Sequence, residues 1–150
     1  MSTNKRIFIP DHEYQERIQN AAKLIEKEHL DVLIVNSNEA DYGNARYFSG
    51  FWPLFERAGV AISASGDAAL MVGPESRYFA ADRSKIEKIF ILKEYRESAD
   101  PAYPELTPDT FQDVFHAIGV TQKNYPDWRS QLFGYIRCDY GWNQSCFSRC

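Results

Sequence analysis

Near the start of the chain a helical stripe gives way almost at once to an apolar strand signal, and this junction restricts the fold more than any other feature. Tyr14, Ile18, Ala21 and Ile25 recur at spacings of four, three and four. That is the period of one helix face, running from an N-cap at Asp11 to about His29, where a cation favours the helix dipole. "DVLIVN", residues 31–36, follows directly. Short continuous apolar runs of this kind form strands covered on both faces. A helix delivered straight onto such a strand predicts a layered α/β domain.

The remaining pattern extends the same architecture. Residues 38–48 predict a short helix, closed by a turn at Ser49-Gly50. "AGVAIS", "ASGD" and "AALMVG" read as strand, turn and strand, with Gly66-Asp67 in the hairpin loop. Pro74 opens a short helical stretch through Ala81, and "KIFILKEY" (88–95) reads as a further strand. The prolines of "SADPAYPELTP" exclude regular structure there. "PDTFQDVFHAIG" predicts a helix with Pro108 at its N-terminus, Phe111, Val114, Phe115 and Ile118 on one face, and Gly119 as its stop. Alternating helices and strands with one hairpin give a mixed sheet. Past Gln122 the periodicity fades, with at most one short strand around Leu132 to Ile136. The expected division is a domain over 1–122 and an irregular tail over 123–150.

Composition removes several classes of function. A chain of 150 residues, 44% hydrophobic and 25% charged, is long enough for one domain with a full core. Its net charge of -4 supplies no basic stripe for nucleic acid. No apolar run approaches the roughly 18 residues of a membrane span. "MSTNKRIFIPDHEYQ" lacks the apolar stretch of a secretory signal, so a cytoplasmic location is expected.

Catalytic signatures are equally sparse. Nucleotide-binding glycine loops, nucleophile elbows and zinc motifs do not occur. Cys138, Cys146 and Cys150 all fall in the tail, at spacings of eight and four that match no zinc pattern, and no base accompanies a thiol. His12, His29 and His116 lack a second ligand at metal-binding spacing. Asp82-Arg83 reads as a solvated pair, and Glu26 to Glu28 as a charged helix face. Neither a metal nor another cofactor is expected in this chain.

One stretch resists a bland reading: "NARYFSGFWPLFERAGVAI", residues 44–62. Tyr47, Phe48 and Phe51 read as core aromatics and Arg57 as a surface charge. Trp52-Pro53-Leu54-Phe55 does not fit. A bulky run holding a proline cannot be a central strand, and it exposes an apolar patch unless a second subunit or second domain covers it.

The order of these pieces carries a resemblance. A helix containing Arg17, Ala21, Ala22 and Leu24, then "LDVLIV", "NARYFSGF" and a hairpin with "GDAALMV", resembles the N-terminal domain of the creatinase, aminopeptidase P and prolidase family. There the corresponding segment reads Asn-x-x-Tyr-Leu-(Thr/Ser)-Gly-aromatic, and Asn44, Tyr47, Ser49, Gly50 and Phe51 fall on it. The resemblance covers residues 12–122. It implies a ribonuclease-H-like, three-layer α/β fold with a mixed β-sheet flanked by helices, and a homodimer. It also implies that catalysis belongs to a C-terminal pita-bread domain. In the peptidases that domain's Asp, His and Glu ligands hold divalent metals (manganese, cobalt or zinc), and those ligands are not in this sequence.

On this resemblance the chain alone is inactive, and its parent is a Xaa-Pro metallopeptidase or a creatinase-like amidinohydrolase. Creatinase-type members end the corresponding loop in Phe-x-Arg, which reaches the partner subunit's active site. Phe55-Glu56-Arg57 matches, in a loop shorter than theirs. The resemblance therefore implies that Phe55, Arg57 and Trp52 bind, in trans, a small substrate with a carboxylate, such as a dipeptide or a creatine-like molecule. Two rival readings are a stand-alone assembly or ligand-binding module, and an enzyme using Cys138 or Cys146.

Overall fold

The first helix, α1 (Asp11–Lys27), buries Tyr14, Ile18, Ala21, Ala22 and Ile25, the stripe that the spacing predicts. Residues 8–97 and 107–120 are described in the computed structural model of the chain. The expectations for 98–106 and beyond residue 120, including the tail and its cysteines, fall outside them. Two details of α1 differ from expectation. Its N-cap is Pro10, and Asp11 is the first helical residue. There its carboxylate favours the helix N-terminus and meets Lys85 Nζ at 2.8 Å. The helix also closes at Lys27, before His29. His29 takes the left-handed exit, φ 56°, its amide donating to Glu26 O while that of Leu30 donates to Ile25 O.

Four strands form one sheet in the order β1 (Val32–Ser37), β2 (Ala58–Ser63), β3 (Ala68–Val72) and β4 (Ile89–Ile91). The first three pair antiparallel and β4 joins β3 in parallel, with Val60 opposite both Val35 and Leu70. The sheet is mixed and its faces are covered unequally. On one face α1, α2 (Gly43–Ser49) and α3 (Arg77–Arg83) pack Ile18, Ile25, Ala45 and Ala80 against Val60, Ile62, Leu70 and Val72. On the other, α4 (Phe111–Ala117) sets Val114 beside Ala61, Ala69 and Met71. Two helical layers with a sheet between them give the α/β fold that the sequence implies.

Strand burial departs from expectation at both edges. All six residues of β2 are buried, whereas Val32 to Val35 of β1 are only partly so. Both faces of β1 are packed, but among the described residues it pairs with β2 alone, so the hairpin occupies the centre. β4 is only three residues long where "KIFILKEY" predicts eight. The chain leaves the sheet into a 3₁₀ turn, Lys93–Tyr95, and Asp109 takes over its hydrogen bonds. Ile91 N donates to Asp109 Oδ2 at 2.7 Å, and Asp109 N donates to Ile91 O at 2.8 Å.

Departure from the strand drops Tyr95 into the second cluster, where its hydroxyl donates to Asn36 Oδ1 at 2.5 Å. Gly59 makes this crossing feasible, because a Cβ there would lie 2.6 Å from the Tyr95 hydroxyl. α4 likewise starts later than Pro108 suggests. Thr110 caps it in a reciprocal box with Asp113, so the proline lies outside the helix. Val114 and Ile118 are buried on the expected face, and Gly119 ends it at φ 78°.

Candidate functional site

α2 decides where the unusual loop begins. Its buried positions are Ala45 and Ser49, one turn apart; side chains tie its first turn to β1 and its last residue to the loop that follows. Asn44 Nδ2 donates to Asn36 O at 3.2 Å, and Ala45 N to Ser37 Oγ at 2.9 Å. At the other end the Ser49 hydroxyl donates to Ala45 O at 2.6 Å and accepts from Phe51 N at 3.1 Å. Gly50 turns the chain at φ 73°, with Tyr14 Oη 3.3 Å from where a Cβ would sit. Asn44, Ser49 and Gly50 are thus the joints that aim the loop. Phe51 anchors it, fully buried with its ring 5.6 Å from that of Phe79.

Tyr47 corrects the reading of it as a core aromatic. It lies two residues from Ala45, off the buried side of α2, and is 51% exposed. Its ring sits 4.4 Å from the Arg17 guanidinium, which also donates to Tyr47 O at 2.8 Å and pairs with Glu13. Phe48, one position further round, is half-buried against the core as expected.

The run Trp52 to Arg57 is divided between core and solvent. Trp52 is half-buried, edge-on to Phe79 at 5.4 Å, with the Arg46 guanidinium 5.3 Å from its ring. Pro53 is buried, so the expected apolar patch shrinks to Leu54 and Phe55, 55% and 50% exposed. From Phe55 onward exposure alternates: Phe55 out, Glu56 in, Arg57 out, Ala58 in. The chain bends over Leu54–Glu56 before β2 begins at Ala58, and Phe55 and Arg57 are exposed on either side of the buried Glu56 in sequence.

Glu56 is the residue that sequence reasoning missed. It is 2% exposed, and neither carboxylate oxygen has a hydrogen-bond partner at ordinary geometry among the described residues. Burial, then the nearby charges of Glu75 and Glu97, push its carboxyl up to about 8, opposed by the Ser76 amide. The available signal was strand parity: two positions before Ala58, Glu56 falls in step with Ala58, Val60 and Ile62, the core side of β2. The titration of the buried Tyr95 phenol is raised by burial first and by Glu94 second, opposed by the charge of Arg57.

Among the described residues no group of three His, Cys, Asp or Glu side chains is placed to hold a metal ion. Nor is any helix here long and apolar enough to cross a membrane.

Residues 17–133 match the model of the Creatinase/Prolidase N-terminal domain family. The chain belongs to that family. Two solved structures resemble this creatinase/prolidase-type domain. One is the N-terminal, creatinase/prolidase-like domain of a protein from Corynebacterium diphtheriae, with 16% identity and a TM-score of 0.45 over 57% of this chain and 62% of that one. The other is the prolidase from Pyrococcus horikoshii OT3, with 18% identity and a TM-score of 0.45 over 70% of this chain. The match spans only 30% of that prolidase. No curated protein matches the chain.

Proposed function

We propose that this domain is the non-catalytic half of a creatinase/prolidase-type hydrolase, and that its Phe51–Arg57 loop caps the active site of a partner subunit in a homodimer. The observation that carries the reading is the split of the loop: Glu56 is buried while Phe55 and Arg57, on either side of it in sequence, are exposed. An exposed guanidinium two residues from an exposed aromatic ring suits a substrate with a carboxylate. Arg57 would fork onto that group with two parallel hydrogen bonds, and Phe55 with Trp52 would keep water from the pair. The substrate class is a dipeptide or a creatine-like molecule, and any divalent metal belongs to the catalytic domain.

Subunit mixing in the full-length hydrolase tests the reading. Losing one partner of a buried charge pair costs on the order of 2–5 kcal/mol, so Arg57→Ala is expected to lower kcat/KM by roughly 30-fold or more. Arg57→Lys recovers little, because an ammonium cannot reproduce the fork. Mixing Arg57→Ala subunits with subunits intact at Arg57 but disabled in their catalytic domain should restore activity in the heterodimer. Heterodimers that form and stay inactive refute capping in trans.

A further inference from the structure

The loop carries a buried acid on which no cation among the described residues bears. Glu56 is 2% exposed, and neither oxygen has a hydrogen-bond partner at ordinary geometry among the described residues, although the Glu75 carboxyl and the Ser76 amide lie near it. Charge in such a place is costly unless it is paired, whereas a neutral carboxyl is tolerated. No cation is among the described groups that bear on it. Glu75 comes from the turn after β3 and Glu97 from the segment after Tyr95, both acids, and the Ser76 amide alone opposes them.

Packing decides which side gives way. Glu75 Oε1 accepts from Glu97 N at 3.3 Å. A Cβ on Gly73 would lie 2.5 Å from Tyr95 O and 2.9 Å from Glu75 Oε2, so the turn and the 95–97 segment are pressed together with no slack. On the Glu56 side Leu54 and Phe55 are half exposed, so that stretch of the loop is the less enclosed of the two. We propose that Glu56 is a proton-operated latch, which holds the Phe51–Arg57 loop against the Pro74–Ser76 turn when protonated and frees it when ionised. Its raised titration, up to about 8, places the change near neutral pH. The latch concerns the loop's own conformation and stands or falls independently of any capping role.

The test uses the 150-residue chain with Trp128→Phe and Trp142→Phe, so that Trp52 reports alone, and with ¹³C-labelled glutamate carboxyls. Glu56 is expected to titrate well above the other glutamates, with Trp52 emission moving to the red in step. Glu56→Gln, which mimics the protonated form, should leave the emission flat between pH 6 and 9. Glu75→Gln removes a facing charge and should lower the midpoint by about one pH unit or more. A Glu56 carboxyl that titrates near 4.5 overturns the proposal, as does a high titration that leaves Trp52 unmoved. Should Glu56→Gln not fold, an unshifted midpoint in Glu75→Gln overturns it equally.

Discussion

The Arg46 guanidinium lies 5.3 Å from the centre of the Trp52 ring, while Phe79 meets the same indole edge-on at 5.4 Å. One residue of α2 and one of α3 thereby fix the first bulky side chain of the loop after its buried anchor, Phe51. These two contacts set the orientation of Trp52 while the loop is closed.

Arg46→Ala should therefore loosen the ring without unfolding the domain. A partly exposed cation–π contact contributes about 0.5–1 kcal/mol, a small part of the stability of such a domain. Fluorescence anisotropy of Trp52, as the sole tryptophan, should fall while the unfolding midpoint barely moves. Unchanged anisotropy would mean that Phe79 suffices to hold the ring.

Gly50→Ala tests the joint itself. The residue sits at φ 73°, and its new methyl would meet Tyr14 Oη at 3.3 Å. A left-handed alanine costs roughly 1–2 kcal/mol before any contact is counted. Urea unfolding should show stability lowered by that amount or more, read as a lower midpoint at an unchanged slope. A neutral result would show that the turn relaxes to another conformation.

The pH dependence of stability follows from Glu56. Its carboxyl titrates near 8 in the folded protein against an ordinary 4.5, so between those values the folded chain keeps a proton that the unfolded chain has released. Stability from this group is present below about pH 4.5 and is lost as pH rises towards 8. The slope is at most about 1.4 kcal/mol per pH unit for one proton. Denaturant unfolding across that window should show the decline in wild type and its loss in Glu56→Gln. A profile that is identical in both places the pH dependence elsewhere.

Periodic features were legible in the sequence. The α1 stripe, the 58–72 hairpin, the Gly50 turn and the face of α4 all depend on contacts within a few residues, and all appear as expected. What failed depends on distant partners. Nothing near "KIFILKEY" reveals that Asp109 will replace its last rungs, or that Tyr95 is drawn off to Asn36. Pro108 reads as a helix start, but the Thr110–Asp113 box, three residues apart, sets the cap two residues later. Within the site, Phe51 and the Ser49-Gly50 turn were readable. Glu56 was not, because charged pairs usually face water and only strand parity argued otherwise.

The Asn36–Tyr95 bond joins residues 59 positions apart, enclosing α2, the hairpin and α3. Closing so long a loop costs entropy before the contact repays it, so the bond belongs among the last to form on the way to the native state. Interactions made after the rate-limiting step govern how fast a protein comes apart and leave its folding rate nearly untouched. The hydroxyl of Tyr95 is a clasp on the finished sheet: its contribution lies in the lifetime of the native domain, not in the search for it.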